Sequence, residues 1–284
     1  MKAPAKINLT LEVLGRRADG YHGLRSVMVP LDLADKLAFE PAAAFSFECD
    51  RTELADERNL ALMAVRAAYD ALPPIRLHLS KRIPLQAGLG GGSSDAAAVL
   101  RAAMAGALGA PPRRNWLAVA RSLGSDVPFF LAGTAALVEG TGERVTPAGA
   151  IPAWHVLIVK PPVAVSTADA YRALDARERA QRPRSTSVSI AMLEALQRAE
   201  FSAVEALLQN DFHDPTVTRT PAIAAAIDAL RAAGASNALL AGSGSCVFTL
   251  AQKSDTIERT AQRLELPQTF ERFVTRFAAT PEWR

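Results

Sequence analysis

The sequence PLQAGLGGGSSD occupies residues 84–95. It stands between an alternating apolar segment that predicts a strand and an alanine-rich segment that predicts a helix. Glycines let the main chain approach an oxyanion closely, and the start of the following helix directs free N–H groups and a partial positive charge at it. The segment therefore predicts a phosphate-binding turn, with a flexible turn as the alternative.

The residues around the glycines exclude two known kinds of phosphate-binding turn. A Walker A loop is excluded because no Lys-Ser or Lys-Thr pair follows Gly92. A dinucleotide fingerprint is excluded because its third glycine would fall on Ser93. The density of glycines and the hydroxyls of Ser93 and Ser94 at the helix start favour phosphate binding over a flexible turn.

Periodic apolar residues predict the elements of the N-terminal half. Alternation of apolar and polar residues predicts half-buried strands at 7–13, 27–33 and 75–79. Helices are predicted at 59–72, from 93 toward 109 and at 116–123, and a hairpin at 135–146. Pro, Gly and Ala crowd residues 147–152, so we place a boundary there between two domains, 1–150 and 151–284.

The C-terminal half is predicted to be a second unit of helices and strands. Strands are predicted at 155–159, 238–241, 247–250 and 273–277, and helices at 167–174, after 254 and, two or three in number, between 188 and 233. The turn Gly242-Ser243-Gly244-Ser245 lies between two of these strands. By itself it is as often a hairpin as a site. Together with the first glycine turn, it suggests that two domains close on one phosphorylated ligand.

Three polar side chains each allow a functional and an ordinary structural interpretation. Asp126 precedes the apolar, Pro-containing segment 127–130, where it could accept a proton from a hydroxyl group or simply stabilise a turn. Lys6 lies beside Asn8 on the polar side of the first strand, where a solvated surface lysine is the commoner explanation. His22 follows Tyr21 in a turn, where a solvated histidine is the ordinary case, and no histidine has metal-ligand spacing.

Composition excludes several other classes of protein. The chain has 284 residues, 49% of them hydrophobic and 21% charged, which fits a globular protein rather than a disordered one. Its formal charge of +3 is too small to indicate a nucleic acid partner. No segment is long and apolar enough to predict a membrane span. Two distant cysteines predict neither a disulfide framework nor a zinc site and favour a reducing, cytoplasmic location.

Five motifs occur in the order and spacing of one known family. They are PAKINL at 4–9, Arg17-x-Asp19-Gly20-Tyr21-His22-x-Leu24, the glycine turn at 84–96, GSDVPFF at 124–130 and AGSGSCVF at 241–248. The chain resembles the bacterial and plastid 4-diphosphocytidyl-2-C-methyl-D-erythritol kinase family, within the galactokinase/homoserine/mevalonate/phosphomevalonate kinase superfamily. The glycine turn points only to the superfamily, whereas the Lys6-Asn8 and Asp19–His22 motifs point to this family.

The resemblance implies a fold and a reaction. It implies an α+β fold in which an N-terminal β/α domain carries the glycine turn and a C-terminal ferredoxin-like domain closes a shared cleft. It also implies ATP-dependent phosphorylation of the 2-hydroxyl group of 4-diphosphocytidyl-2-C-methyl-D-erythritol, a small-molecule substrate, on the non-mevalonate route to isoprenoid precursors. Phosphoryl transfer requires Mg²⁺, but no acidic residue matches a ligand motif, so no metal ligand is assigned.

The resemblance also implies the roles of individual residues. Lys6 and Asp126 would be catalytic, with Asp126 taking the proton of the substrate hydroxyl and Lys6 keeping Asp126 ionised. Asn8 would position the substrate, and the rings of Tyr21 and Tyr171 would hold the cytosine base between them, with His22 and Thr167 completing the pocket. The implied ATP-binding residues are Pro84, Gly88, Leu89, Gly90, Gly91, Gly92, Ser93, Ser94, Gly242, Ser243 and Gly244.

Overall fold

A computed structural model describes residues 1–18, 20–178 and 187–278. Asp19 of the family motif and most of the polar loop expected before Ser187 lie outside the described residues. The strands are β1 Lys2–Asn8, β2 Thr10–Arg16, β3 His22–Pro41, β4 Ser46–Cys49, β5 Ile75–Ser80, β6 Ala136–Gly140, β7 Arg144–Pro147, β8 His155–Lys160, β9 Gln209–Asn210, β10 Leu239–Leu240, β11 Val247–Ala251 and β12 Glu271–Arg276. The helices are α1 Leu60–Ala68, α2 Gly91–Met104, α3 Trp116–Leu123, α4 Val127–Ala132, α5 Thr167–Glu178, α6 Val188–Gln197, α7 Phe201–Ala206, α8 His213–Arg219, α9 Pro221–Ala232 and α10 Ser254–Arg263. None of these helices meets the length and hydropathy of a membrane span.

The long strand β3 organises the larger of two sheets. It pairs with β1, β2, β5 and β6, all antiparallel, while β4 and β7 extend the sheet beyond β5 and β6. The smaller sheet has the order β10-β11-β8-β12. Helices α1 to α4 pack against one face of the larger sheet, so a single strand fixes the position of most of the N-terminal half.

Alanines allow α2 to pack closely in this layer. Nine of its residues are buried, among them Ala96, Ala97 and Ala98, and it lies against α1, α4 and β1. The helix begins at Gly91, two residues before the predicted start. Helix α1 is shorter than predicted: it begins after the cap Asn59, as expected, but ends at Ala68 because Tyr69 is extended and its hydroxyl group donates to the carbonyl of Gly109.

The prediction of one half-buried strand over 7–13 is wrong in two respects. The chain bends at Leu9 between β1 and β2, where the Leu9 N–H donates to the carbonyl of Val27. The polar side of these strands is also buried: Lys6 is 4% exposed and Glu12 is 3% exposed. Other protein elements cover both faces, so alternation here marks a boundary between apolar and polar interior rather than between core and solvent.

The two halves of the sequence share two hydrophobic clusters. The first joins Ile7 of β1 to Met192 of α6 and Phe248 of β11. The second joins Leu11 of β2 to Leu157 of β8. Strand β9 also adds to the larger sheet by pairing parallel with β2. The C-terminal half contributes four helices between 188 and 233, α6 to α9, rather than the two or three predicted. The division at 150/151 stays a prediction.

Glu12 connects β2 to the start of α6. Its carboxylate accepts hydrogen bonds from the Ser187 hydroxyl at 2.7 Å and from the Ser189 N–H at 3.0 Å. Burial disfavours the ionised form, but the bonds from Ser189, Ser187 and the Val188 N–H outweigh it and hold the pKa of Glu12 below its ordinary value. The carboxylate also lies where the partial positive charge of α6 is concentrated. This contact therefore stabilises the junction of the two halves.

We expect Glu12→Gln to lower the free energy of unfolding by about 1–3 kcal/mol at neutral pH, because it removes hydrogen bonds to a charged group. A group whose pKa is depressed by folding stabilises the folded state above its unfolded pKa and loses this effect as pH falls through its folded pKa. The difference between wild type and variant, measured by urea unfolding, should thus shrink below about pH 4.5. Glu40→Gln, at a side chain 63% exposed, is the control. A pH-independent difference would contradict an ionic role for Glu12.

Candidate active site

A cleft of about 720 Å³ opens between the two halves of the chain. Ten of the predicted site residues line it: Lys6, Asn8, Gly88, Gly90, Asp126, Thr167, Tyr171, Gly242, Ser243 and Gly244. The remaining predicted residues, Tyr21, His22, Pro84, Leu89, Gly91, Gly92, Ser93 and Ser94, are not part of this lining. The lining unites residues from all five sequence motifs, with Leu24 coming from the motif that contains Tyr21 and His22.

The two glycine turns meet through their main chains. A Cβ atom at Gly88 would overlap the carbonyl oxygen of Ala241 and lie 2.8 Å from its carbonyl carbon. The Ser245 and Cys246 N–H groups donate to the carbonyls of Gln86 and Ala87 at 3.3 and 3.2 Å. The structure therefore places the two turns side by side, as a shared ligand would require, and the ligand itself stays a prediction.

The first glycine turn leads directly into α2. Gly90 has a φ of +73° and is the residue before the helix, so its left-handed conformation turns the chain into the helical direction. The first N–H groups of any α-helix lack partners within the helix. The Ser94 hydroxyl is buried and has no hydrogen-bond partner among the described residues. These groups fit an anion bound at the start of α2.

A buried cluster of charged side chains connects the start of α2 to β3. Lys81 donates to Asp95 of α2 at 2.6 Å and also bonds Asp35 of β3. Asp35 in turn accepts from the Ile83 N–H at 2.8 Å. Burial raises the pKa of Asp95, against the opposing effect of Lys81. The cluster fixes α2 to β3 and to the segment that enters the glycine turn.

The side chains of Lys6 and Asp126 lie close together in the wall of the cleft. The Lys6 ammonium lies 3.5 Å from Asp126 Oδ2 and donates to Asn8 Oδ1 at 2.8 Å. The surface-lysine interpretation is therefore wrong, because the Lys6 side chain is only 5% exposed. Asp126 immediately precedes α4, a helix that was not predicted, yet its side chain makes no capping hydrogen bond. Its carboxylate, 27% exposed, is thus available to a ligand in the cleft.

A row of hydrogen bonds orients the Asn8 amide. Asn8 Nδ2 donates to Ser26 Oγ at 2.7 Å, and Ser26 Oγ donates to the carbonyl of Thr10 at 2.6 Å. Since its nitrogen is engaged by Ser26, the oxygen of the amide is the atom that meets Lys6. Ser26 lines the cleft and was not predicted as a site residue, since it lies one residue before the strand that apolar residues predicted at 27–33.

An aromatic cluster closes one end of the cleft. The ring of His22 stacks on Tyr171 with centroids 4.7 Å apart, and Tyr171 meets Phe212 edge-on at 4.8 Å. Burial and the charge of Asp126 raise the pKa of Tyr171. Tyr21 is 69% exposed. The structure brings His22 and Tyr171 together, but it covers the Tyr171 face with His22 instead of leaving it open opposite Tyr21.

Asp175 holds His22 in this position. Its Oδ1 lies 2.6 Å from His22 Nε2, and the His22 side chain is 9% exposed, so the solvated-histidine interpretation is wrong. The sequence analysis missed Asp175. It lies one residue beyond the helix predicted at 167–174, whereas α5 continues to Glu178. Its spacing of four residues from Tyr171 was the available signal, because residues four apart in a helix lie on one face.

Acidic residues are sparse in the cleft. Asp126 and Asp169 are the acidic residues in its described lining, and Asp169 bonds Arg172. The described residues hold no group of three or more His, Cys, Asp or Glu side chains that could bind a metal ion. A resident metal held by protein ligands alone is not supported within the described part of the chain.

Comparison with known proteins identifies relatives over nearly the whole chain. Residues 58–134 match the family model "GHMP kinases N terminal domain", and residues 192–267 match "GHMP kinases C terminal". A 4-diphosphocytidyl-2-C-methyl-D-erythritol kinase of Deinococcus radiodurans is 42% identical, covering 92% of this chain and 87% of that protein. One of Anaeromyxobacter sp. is 40% identical over 92% of this chain and 85% of that protein.

Solved structures agree with these matches. A crystal structure of 4-(cytidine 5'-diphospho)-2C-methyl-D-erythritol kinase has a TM-score of 0.81 and 36% identity, covering 98% of this chain and 99% of that one. A homoserine kinase from Cytophaga hutchinsonii has a TM-score of 0.64 at 17% identity, over 97% of this chain and 93% of that one, and shows the fold alone. The predicted two-domain α+β kinase fold is confirmed.

We expect Gly90→Ala to raise the KM for ATP by about tenfold or more. The new Cβ would lie 2.8 Å from the Phe130 ring and 3.2 Å from Lys6 Cγ, so the turn and Lys6 must shift. The variant also places a side chain at positive φ, which costs about 1–2 kcal/mol.

Gly106→Ala is the matched control, since Gly106 has a φ of +72° with no atom within 4 Å of the added Cβ. Steady-state kinetics should show its KM for ATP within about twofold of wild type. The same KM in both variants would mean that the contacts of Gly90 are irrelevant to nucleotide binding.

Proposed function

The chain belongs to the 4-diphosphocytidyl-2-C-methyl-D-erythritol kinase family, and we propose that it transfers the γ-phosphoryl group of ATP to the 2-hydroxyl group of 4-diphosphocytidyl-2-C-methyl-D-erythritol. The product would be the 2-phosphate, formed with ADP on the non-mevalonate route to isoprenoid precursors. The observation that carries this proposal is the Lys6–Asp126 pair at 3.5 Å, which faces a cleft bounded by two glycine turns. Two unbridged cysteines fit a reducing cytoplasm as the place of the reaction.

The pair supplies both functions that phosphoryl transfer asks of a protein. Asp126 would accept the proton of the 2-hydroxyl group as the hydroxyl oxygen bonds the γ-phosphorus and the bond from that phosphorus to the bridging oxygen of ADP breaks. Lys6 would neutralise charge on the transferred group. Such catalysis consists of positioning and electrostatic stabilisation, and the hydrogen bond from Lys6 to Asn8 holds the ammonium in place before substrate arrives.

The glycine turns would hold the ATP phosphates. The first N–H groups of α2 lack partners within the helix and would donate to the anionic oxygens. The buried Ser94 hydroxyl, which has no hydrogen-bond partner among the described residues, would add a further donor. The second turn would contribute the main-chain N–H groups of Gly242 and Ser243 from the opposite side, since the Gly244 N–H already donates to the carbonyl of Ala241. The Ser243 hydroxyl lies 2.9 Å from the Thr167 hydroxyl. The implied ATP-binding residues thus approach one nucleotide from both halves of the chain.

Mg²⁺ would enter with the nucleotide. The ion neutralises charge on the phosphate oxygens during transfer, and it commonly keeps phosphate and water ligands with only one or two protein carboxylates. A cleft lined by two acidic residues fits that mode of binding. Asp126 stays assigned to the proton and no metal ligand is named.

The aromatic end of the cleft would bind the cytosine base. Tyr21, His22, Thr167 and Tyr171 form the proposed pocket. Because His22 covers one face of Tyr171 at 4.7 Å, the base can stack on that face only when His22 leaves it. In its new position His22 would meet the polar edge of the base. The exposed Tyr21 ring would then close over the opposite side.

An assay with several alcohols tests the proposed substrate. Purified protein, ATP and Mg²⁺ are incubated with 4-diphosphocytidyl-2-C-methyl-D-erythritol, mevalonate or homoserine, and ADP release is followed. We expect turnover with the cytidine compound alone. Turnover of mevalonate or homoserine instead would assign another kinase activity of the superfamily, and ligand binding without ADP release would indicate a sensor.

Asp126→Asn should lower kcat about 10²- to 10⁴-fold or more, which raises the activation barrier by about 3 kcal/mol or more. The amide keeps the shape of the carboxylate but cannot take the proton. ATP affinity, measured by calorimetry, should stay within about threefold of wild type. A variant that retained most of its kcat would show that Asp126 is not the base.

Cytidine diphosphate should compete with the substrate, and uridine diphosphate should compete less well. Stacking on an aromatic ring contributes about 1–3 kcal/mol per base, so Tyr171→Ala and Tyr21→Ala should each weaken inhibition by cytidine diphosphate about 5- to 150-fold. His22→Ala should reduce discrimination between the two nucleotides, because the edge of the base loses its partner. Failure of cytidine diphosphate to compete with wild type would remove the cytidine pocket from the proposal.

A further inference from the structure

The turn between β6 and β7 lies against the main chain that leads into Asp126. Gly142 in this turn has a φ of +113°. A Cβ atom added there would overlap the carbonyl oxygen of Ser125, 3.0 Å from the carbonyl carbon and 3.2 Å from Ser125 Cβ. Only glycine allows this approach, both because of its conformation and because of the space. The turn is thus in direct contact with the residue before the proposed base.

Several hydrogen bonds hold the β6–β7 turn in one conformation. The Gly142 N–H donates to the carbonyl of Glu139 at 3.3 Å, which closes the hairpin. The Glu143 carboxylate accepts from the Thr141 N–H at 2.6 Å and from the Thr141 hydroxyl at 2.9 Å. It also folds over Gly140, where an added Cβ would overlap it. A turn stabilised by these hydrogen bonds resists displacement where it contacts Ser125.

Asp126 depends on its main chain for its position. Its carboxylate makes no capping bond to α4, and the contact with Lys6 at 3.5 Å is longer than an ordinary charge-assisted hydrogen bond. The direction of the side chain is therefore set largely by the backbone at 125–126. A displacement of about 1 Å between reacting groups can lower the rate about 10²-fold. Movement of the Ser125 carbonyl would thus reach the carboxylate one residue away.

We propose that Gly142 is a positioning residue: its missing side chain lets the braced β6–β7 turn fix the backbone that aims Asp126 at the substrate hydroxyl group. The inference rests on the proposed function, in which Asp126 is the base. Gly142 acts only through Ser125 and touches neither substrate nor nucleotide. The expected signature is therefore a change in kcat that is separated from substrate and ATP binding.

The test compares Gly142→Ala with Gly234→Ala in the full-length protein. Gly234 has a φ of +94°, and no atom lies within 4 Å of an added Cβ, so this control introduces backbone strain without a contact. We expect Gly142→Ala to lower kcat about 10- to 100-fold while the KM values for ATP and substrate stay within about threefold. Gly234→Ala should keep kcat within about twofold. Equal kcat values for the two variants, or a loss shared by kcat and both KM values, would overturn the proposal.

Two further variants keep the outcome interpretable. If Gly142→Ala does not fold, Glu143→Ala loosens the turn without adding bulk and should lower kcat about 3- to 10-fold with unchanged KM. Wild-type kcat in folded Glu143→Ala would then overturn the proposal. Asp126→Asn is measured in parallel, because wild-type kcat in that variant refutes the proposed base. Loss of kcat in Asp126→Asn but not in Gly142→Ala refutes the positioning role alone.

Discussion

Main chain packs directly on main chain where the two glycine turns meet, and the geometry of the cleft depends on this contact. Gly88 leaves no room for a side chain beneath Ala241, and the Cys246 N–H bonds Ala87 across the junction. The carbonyl of Leu89, in the same turn, accepts from the Lys6 N–H at 2.9 Å. One short segment therefore fixes the second turn on one side and the strand that carries Lys6 on the other.

Each buried lysine near the site has both its hydrogen-bond and its ion-pair partners close by. Removing an ammonium or carboxylate group from water is unfavourable unless partners replace the lost hydration. Lys6 has Asn8 and Asp126 as partners, and Lys81 has Asp35 and Asp95. The first set opens onto the cleft, whereas the second is closed beneath α2. The same physical requirement thus produces a catalytic candidate in one place and a structural support in the other.

Sequence reasoning recovered the parts of the fold that rest on local signals. Helix α3 has the predicted bounds 116–123, and α2 follows the glycine turn as the alanine-rich segment predicts. It failed where long-range packing decides the outcome. Burial of Lys6 depends on elements distant in sequence, and the stacking of His22 on Tyr171 joins residues 149 positions apart. Motif resemblance selected residues that line one cleft, but no pattern within a segment could show which side chains face one another there.

The contact between the glycine turns is tested most directly by hydrogen exchange in Gly88→Ala, with Gly149→Ala as control because Gly149 has a similar φ of +79° and open space around it. The amides to follow by NMR are those of Lys6, Ser245 and Cys246, which bond the first turn. We predict that Gly88→Ala loses protection at all three amides and binds ATP at least tenfold more weakly, while the control retains both properties. Unchanged protection and ATP affinity in Gly88→Ala would contradict the account, because the turns would then not depend on close main-chain contact.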